Sequence, residues 1–262
     1  MLVSRAMSHL SFEPIGVIES CFPARFGTPR QPGLVPDAWA VLRLRPELSL
    51  ADGLDGLAGF SHVWLLFVFH KNESRRALTK VHPPRLGGRK LGVFATRSPH
   101  RPNPIGLSAV RLERIDGNDL YLSGVDMVSG TPVLDVKPYV PYADALIEAR
   151  ADWAEAPARA LEVRFDSTAA KDLQVLRPQA EARERLERLI QQTIALDPRA
   201  IFLKGTVANP NPYTDRYGVY LEDLNVVFRV AGGEATVVCV EPASAHAALK
   251  DSSGTISRGR YK

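Results

Sequence analysis

The sequence predicts a mainly β fold: an antiparallel β-barrel N-terminal domain of non-Rossmann type, followed by a smaller α+β C-terminal domain. Three observations support this. Short β-like runs separated by proline- and glycine-rich turns fill the first half, which contains no helix-length periodic segment. No GxGxxG segment opens a helix. The second half pairs an amphipathic helical pattern with strand-like runs. We place the domains at residues 1–155 and 156–242, with a disordered basic tail at 243–262.

The first half contains several segments typical of strands. Residues 13–20 alternate apolar and polar side chains, and residues 61–69 form a continuous apolar run, which favours a strand buried on both faces. Residues 91–95 predict another short strand. Two further runs flank three turn-forming residues at 116–118 and predict a hairpin. Because the connections are polar and marked by proline, we expect antiparallel pairing that closes into a barrel.

The C-terminal half predicts a strand at residues 160–165, a helix and a hairpin. Ser167 or Thr168 is in a position to cap the helix, and Pro178 suits a first helical turn. Apolar residues at spacings of three and four mark the helix: Ala182, Leu186, Leu189, Ile190 and Ile194. The hairpin turns at the two glycines at 232–233. Its strand-like runs span residues 217–230 and 235–241.

Composition and motifs exclude several classes of protein. No apolar run reaches the roughly 18 residues of a membrane span, and the N-terminus lacks the apolar centre of a secretory signal, so we expect a cytoplasmic protein with no membrane partner. The two cysteines and six histidines show no ligand spacing, which predicts neither a disulfide framework nor a metal site. P-loop, GxSxG and HExxH motifs are absent.

Positive charge is concentrated in one segment. Residues 70–115 carry eleven Lys and Arg residues against two acidic ones, whereas the whole chain has a net charge of +4, so the rest is net negative. A basic segment of this kind indicates a phosphate-rich partner such as RNA. We expect its phosphate contacts to come from Lys80, Arg85, Arg89, Lys90 and Arg101.

Rigid polar loops occur at the predicted strand ends. The segment ATRSPHRPNPIGLS, residues 95–108, places three prolines within six positions beside two arginines, a histidine and an asparagine. Proline restricts its own backbone and that of the preceding residue, so the neighbouring side chains are held in few orientations. Similar loops occur near residues 28–33, 70–76, 82–88 and 126–139. This preorganisation is typical of a binding site.

These loops carry a resemblance to a known family. The segments PRQPG, FSHVWLLFVFH, PPRLGG, GVFATRSPHRPNPIGLS and GTPVLDVKPY, in this order, closely resemble the TsaA-like family of TrmO-type tRNA methyltransferases. The resemblance continues through DPRAIFLKGT, YGVYLEDLNVVFRV and VEP. It implies a homodimeric β-barrel enzyme that uses S-adenosylmethionine. The implied substrate is N6-threonylcarbamoyladenosine at position 37, beside the anticodon of threonine tRNA, which becomes N6-methylated.

Donor-site residues are carried over from the family by position. They are Pro29, Arg30, Gln31, His70, Lys71, Arg97, Leu107, Asp126, Met127, Val128 and Ser129. Arginines suit the carboxylate of the donor, Asp126 suits its amine or ribose, and Leu107, Met127 and Val128 offer apolar walls and backbone groups.

Methyl transfer to a delocalised nitrogen needs placement and the removal of one proton. The base is His70, Asp135 or the carboxylate of the substrate, and the sequence does not choose among them. Lys137 and Tyr139 are candidates to hold that carboxylate.

Two other functions stay open at this stage. One is a non-catalytic RNA-binding barrel that stacks bases on aromatic residues such as Trp64, Phe67 or Phe94. The other is a methyltransferase of the same fold that acts on another RNA or on a small molecule.

Overall fold

The structure is a computed structural model that describes residues 10–48, 52–72, 78–83, 86, 88–154, 160–199 and 215–244. The strands are β1 (Gly16–Ser20), β2 (Trp39–Leu44), β3 (His62–Val68), β4 (Lys80–Val81), β5 (Leu91–Gly92), β6 (Ile105–Asp116), β7 (Asp119–Ser123), β8 (Pro132–Pro138), β9 (Glu162–Phe165), β10 (Tyr217–Leu221), β11 (Leu224–Ala231) and β12 (Glu234–Pro242). The α-helices are α1 (Pro141–Asp144), α2 (Ser167–Leu176) and α3 (Ala180–Ala195). Most of the predicted tail, residues 245–262, lies outside the described residues.

Six strands form a closed antiparallel barrel in the order β1-β2-β7-β6-β3-β8. This confirms the predicted fold class. The pairing register brings the ends of β1, β3 and β7 to the same end of the barrel as the starts of β2, β6 and β8. We call this the upper end. The predicted hairpin at residues 116–118 joins β6 and β7, with Gly117 in the left-handed region at φ 57°.

Strand β3 differs from its prediction. Val63, Leu65 and Phe67 are buried, whereas the residues between them are only half-buried, so burial on both faces is wrong. In a closed barrel one face of each strand fills the interior and the other faces outward, which gives alternation instead of a doubly buried run.

Two other segments in the first half also differ from expectation. The predicted strand at residues 91–95 is paired only at β5, and Val93–Ala95 forms a 3₁₀ turn. The segment 126–139, expected to be a loop, contains β8. The run PVLDV supplies β-branched residues there, and its carbonyl and amide groups complete the barrel against β1 and β3.

The C-terminal part is a four-stranded sheet, β10-β11-β12-β9, with β9 parallel to β12. The apolar face of α3 is buried as predicted, at Leu186, Leu189, Ile190 and Ile194. The predicted 217–230 strand is instead two strands, because Glu222 adopts a φ of 53° and turns the chain between β10 and β11.

The helical region contains two helices where the sequence suggested one. Asp166, not Ser167 or Thr168, caps α2, and its Oδ1 accepts from the amides of Thr168 and Ala169 at 2.9 Å. Pro178 lies before α3 and its cap instead of inside the first turn. A proline cannot continue the hydrogen-bond ladder of α2, so the helix ends and a second one begins.

The two parts share one hydrophobic core. Trp39 Nε1 donates to Glu222 Oε1 at 2.7 Å, and the Glu222 amide donates to the Cys21 carbonyl at 2.8 Å. Among the described residues, no helix is both long and apolar enough to cross a membrane.

Candidate active site

The upper end of the barrel brings together loops that are distant in sequence. Strand β7 ends at Ser123, which lies opposite Arg111 of β6. Residues 105–110 of β6 therefore extend beyond the end of β7, and the segment that follows β7 lies beside them. Gly33 donates its amide to the Gly124 carbonyl at 2.8 Å, which ties the PRQPG loop to this segment. Both glycines have positive φ, at 76° and 69°, a conformation that other residues adopt with strain.

Asp126 lies at the centre of this arrangement. Ser108, an inward-facing residue of β6 that is only 2% exposed, donates its hydroxyl to Asp126 Oδ1 at 2.7 Å. No side chain in the described part of the chain donates to Oδ2. The carboxylate also accepts from its own backbone amide. Because a carboxylate has about four acceptor positions, it can still accept from a ligand.

The surroundings of Asp126 change its acidity. Burial raises the pKa of this carboxyl to about 6, while the hydrogen bond from Ser108 and the positive charge of Arg97 oppose the shift. Water stabilises a charged carboxylate better than this enclosed site does, so the ionised Asp126 lowers the stability of the folded protein. It is ionised at neutral pH and gains from a cationic or hydroxyl-bearing partner.

Arg97 reaches the same place from the proline-rich loop. Its Nη1 donates to Gln31 Oε1, and Gln31 Nε2 in turn donates to the Arg30 carbonyl at 2.5 Å. The predicted donor residues Gln31, Arg97 and Asp126 are thus brought together from three separate loops. Part of the Arg97 guanidinium remains exposed beside Asp126, where it can bind an anionic group.

His70 and Lys71 approach the site from the end of β3. A Cβ added at Gly130 would lie 3.6 Å from His70 Nε2, which places the imidazole against the segment after Ser129. Burial and the neighbouring Lys71 ammonium hold the pKa of His70 below its usual range. This shift favours the neutral imidazole, which is the form able to accept a proton. Lys71 Nζ donates to the Pro23 carbonyl at 3.0 Å.

The proline-rich loop is held by hydrogen bonds as well as by its prolines. Asn72 Nδ2 donates to the Pro99 carbonyl at 2.6 Å, and the Phe69 amide donates to the Pro104 carbonyl at 2.8 Å. Arg101, predicted to contact RNA, donates to the Thr96 carbonyl at 2.8 Å. Its guanidinium thus braces the loop that presents Arg97.

The remaining predicted donor residues are placed differently from one another. Pro29 is buried, and the Met127 side chain is 1% exposed in the barrel core, so Met127 offers only its backbone to a ligand. Val128 and Ser129 are half-buried beside Asp126 in sequence. Leu107 faces outward from β6 on the side opposite Ser108 and is 55% exposed.

The other candidates for catalysis lie on β8 and directly after it. Asp135 pairs in register with Leu66 on the outer face, where Lys137 Nζ lies 2.7 Å from its Oδ2. The Tyr139 amide donates to the His62 carbonyl at the lower end of the barrel. From His62 to Val68 strand β3 rises about 20 Å, at about 3.3 Å per residue. Within one chain, Tyr139 and His70 therefore do not meet.

The predicted RNA contacts form a basic ribbon. Lys80 lies on β4, which pairs with β5, and Arg89 and Lys90 precede β5. All three side chains are exposed, and Arg85 lies outside the described residues. The ribbon leads directly into Phe94, which is 78% exposed, with the Arg101 guanidinium 5.7 Å from its ring centre.

Sequence reasoning missed Ser108. A signal was present, since residues 106, 108, 110 and 112 alternate as the inward-facing set of β6, and a hydroxyl among apolar inward residues needs a polar partner.

Comparison with known proteins agrees with this geometry. A model described as the tRNA-methyltransferase O N-terminal domain matches residues 17–145, and one described as the TrmO C-terminal domain matches residues 158–243. A tRNA (adenine(37)-N6)-methyltransferase of Escherichia coli is 42% identical over 242 residues, covering 90% of this chain and 100% of the relative. The chain belongs to the TrmO family. The family resemblance predicted from the sequence is thereby confirmed.

Other members of the TrmO family support the assignment. A Pseudomonas aeruginosa protein named as a putative S-adenosylmethionine-dependent methyltransferase is 47% identical over 240 residues, covering 87% of this chain and 100% of that protein. The crystal structure of TrmO from Pseudomonas aeruginosa matches with a TM-score of 0.73 at 40% identity, covering 90% of this chain and 99% of that one. The names of these relatives confirm the predicted cofactor, S-adenosylmethionine.

Proposed function

We propose that this chain transfers the methyl group of S-adenosylmethionine to N6 of threonylcarbamoyladenosine at position 37 of threonine tRNA. The observation that carries the proposal is the cluster of Gln31, Arg97 and Asp126 at the upper end of the barrel, where His70 also lies at the end of β3. We assign the reaction to the barrel domain, residues 1–155.

The residues present fit the donor. Its amino-acid end carries one anionic and one cationic group, and the site offers the Arg97 guanidinium and the Asp126 carboxylate. Burial of the carboxylate strengthens its attraction to a cation. When bound, the donor supplies an activated methyl group on a sulfonium.

Transfer to N6 requires the loss of a proton from that nitrogen. His70 is the base that the geometry favours, because its pKa is lowered and it lies at the end of β3 next to the donor residues. Asp135 is less well placed, since Lys137 neutralises it on the outer face. Holding N6 in line with the methyl group supplies much of the rate.

The basic ribbon and Phe94 support tRNA as the substrate. Exposed Lys and Arg side chains bind phosphates without regard to sequence, and an exposed ring can stack on an unpaired base such as those of an anticodon loop. The alternative stacking residues are less suited, because Phe67 is buried and Trp64 packs 5.5 Å from the Tyr139 ring.

The substrate is tested with threonine tRNA prepared with and without the threonylcarbamoyl group. We expect methyl transfer from radiolabelled donor only to the modified tRNA. Equal transfer to both would show that the enzyme acts on a different adenosine or another base. Binding of tRNA without binding of the donor would favour the non-catalytic RNA-binding barrel.

We further propose that the chain forms a homodimer. Strand β6 exposes Ile105 and Leu107 on its outer face, and α1 with the segment after it exposes three more large apolar side chains. These are Tyr142, Leu146 and Ile147. Large apolar side chains that are exposed in one chain favour association, and a two-fold axis lets the same surface serve both copies.

The dimer is tested with Ile147→Asp, a charge placed on a side chain that is 96% exposed. Sedimentation should show the wild-type dimer and a variant shifted to monomer. Val175→Asp is the matched control, since Val175 is 79% exposed on α2, and it should leave the dimer intact. A monomeric wild type would contradict the proposal.

A further inference from the structure

The loop that carries Pro29, Arg30 and Gln31 is held by the C-terminal domain as well as by the barrel. We call residues 26–37 the donor loop. Near its start, a Cβ added to Gly27 would lie 2.1 Å from Val219 Cγ2 of β10, so the backbone is packed directly against the C-terminal sheet. Gly27 has a φ of 97°, which also favours glycine.

The other end of the donor loop is bound by α3. The Asp37 amide donates to Gln192 Oε1 at 3.0 Å, and Gln192 Nε2 donates back to Asp37 Oδ2 at 2.5 Å. Arg188 Nε donates to the remaining oxygen, Oδ1, at 3.2 Å. Gln192 therefore binds both the backbone and the side chain of Asp37, and Arg188 of the same helix donates to the second carboxylate oxygen.

The middle of the donor loop faces both the barrel and the turn after α3. Gln31 accepts from Arg97, and the Gly33 amide binds Gly124. The negative charge of Asp197, which follows α3, attracts the Arg30 guanidinium. The loop thus spans from one anchor on β10 to another on α3, with the residues for the donor between them.

We propose that Gln192 and Arg188 are positioning residues for donor binding, acting through Asp37 on the donor loop. This rests on the proposed function only in that Gln31 and Arg97 bind the donor. In the described part of the chain, the hydrogen bonds of Gln192 and Arg188 to the donor loop go to Asp37, not to Gln31. A loop that is already fixed loses less entropy when the donor binds. Loosening Asp37 should therefore weaken donor binding and leave the tRNA contacts unchanged.

The test uses the full chain and the variant Gln192→Glu. This change places two carboxylates against each other and removes the donated hydrogen bond, so we expect donor affinity by calorimetry to fall about tenfold. The KM for tRNA should not change. Asp37→Asn combined with Gln192→Glu restores the side-chain hydrogen bond in the reverse direction, with the amide at position 37 donating to the carboxylate at position 192. This double variant should recover most of the affinity for S-adenosylmethionine.

A second readout does not depend on the donor. Amide hydrogen exchange across residues 28–36 should be faster in Gln192→Glu than in wild type and should return in the double variant. If the donor failed to bind wild type, the proposed function would fall while this readout still tested the anchor. Unchanged exchange or unchanged donor affinity in Gln192→Glu overturns the inference, as does a double variant that stays impaired.

Matched controls separate positioning from helix stability. Arg188→Ala should weaken donor binding, whereas Arg185→Ala should not. Arg185 is similarly exposed but pairs with Glu222 at 3.3 Å instead of with the donor loop. Gln191→Ala, an exposed change next to Gln192, should also be silent. An equal loss of donor affinity in the Arg185 variant contradicts the assignment.

Discussion

Asp126→Asn should yield a protein that is more stable than wild type and no longer binds the donor. Asparagine keeps the shape and can still accept from Ser108, but it removes a charge that burial disfavours. A pKa of about 6 against an ordinary value of 3.8 corresponds to a destabilisation of at most about 3 kcal/mol at neutral pH. We expect the variant to gain about 1–3 kcal/mol in chemical denaturation at pH 7.5.

The pH dependence fixes the sign of this effect. The folded-state pKa is raised, so the carboxylate destabilises the fold above about pH 6, and that penalty disappears as the pH falls from 6 towards 4. The advantage of the asparagine variant should therefore shrink across this window. Donor affinity of wild type should fall over the same range as Asp126 is protonated. A variant that is no more stable at pH 7.5, or that binds the donor as wild type does, contradicts this role.

Arg97→Ala should lose about a hundredfold in turnover while remaining folded, since it removes the guanidinium that we propose binds the anionic end of the donor, and losing one partner of such a charge pair costs a few kcal/mol of binding. Arg97 is exposed, and its one side-chain hydrogen bond within the described residues is to Gln31, so we expect no large loss of stability. Donor affinity by calorimetry and single-turnover methylation measure the effect, and circular dichroism verifies the fold.

Lys80→Ala and Lys90→Ala are the matched controls for Arg97. Both residues are exposed cations on the basic ribbon, and neither is part of the cluster of Gln31, Arg97 and Asp126. Each should weaken tRNA binding modestly, reduce its dependence on salt and leave donor affinity unchanged. Equal loss of donor binding in all three variants would show that the site is not localised at Arg97.

Local patterns in the sequence predicted much of the fold. The β6–β7 hairpin and the buried face of α3 follow from turn residues and from apolar spacing, which act over a few residues. The turn between β10 and β11 was not predicted, because Glu222 adopts a positive φ and glutamate is not a residue type that favours this conformation. The prediction that β3 is buried on both faces was wrong for a topological reason. In a closed barrel one face of each strand points outward, and in β3 that face is half-buried.

The assignment of the donor-site residues stays a prediction. Family resemblance proposed Gln31, Arg97 and Asp126 for the candidate site, and the structure brings them together through loops at one end of the barrel. Resemblance could not show that Tyr139 lies at the other end, because the register between β3 and β8 is a long-range property. Nor could it reveal Gln192, whose partner Asp37 is 155 positions away in sequence.

The most direct test of this account is nucleoside mass spectrometry after incubating the protein with S-adenosylmethionine and threonylcarbamoylated threonine tRNA. We predict the mass of one added methyl group on threonylcarbamoyladenosine with wild type, and unmethylated nucleoside with Arg97→Ala and Asp126→Asn. An unchanged modified adenosine with wild type, under conditions where the protein is folded and binds the tRNA, would contradict the account.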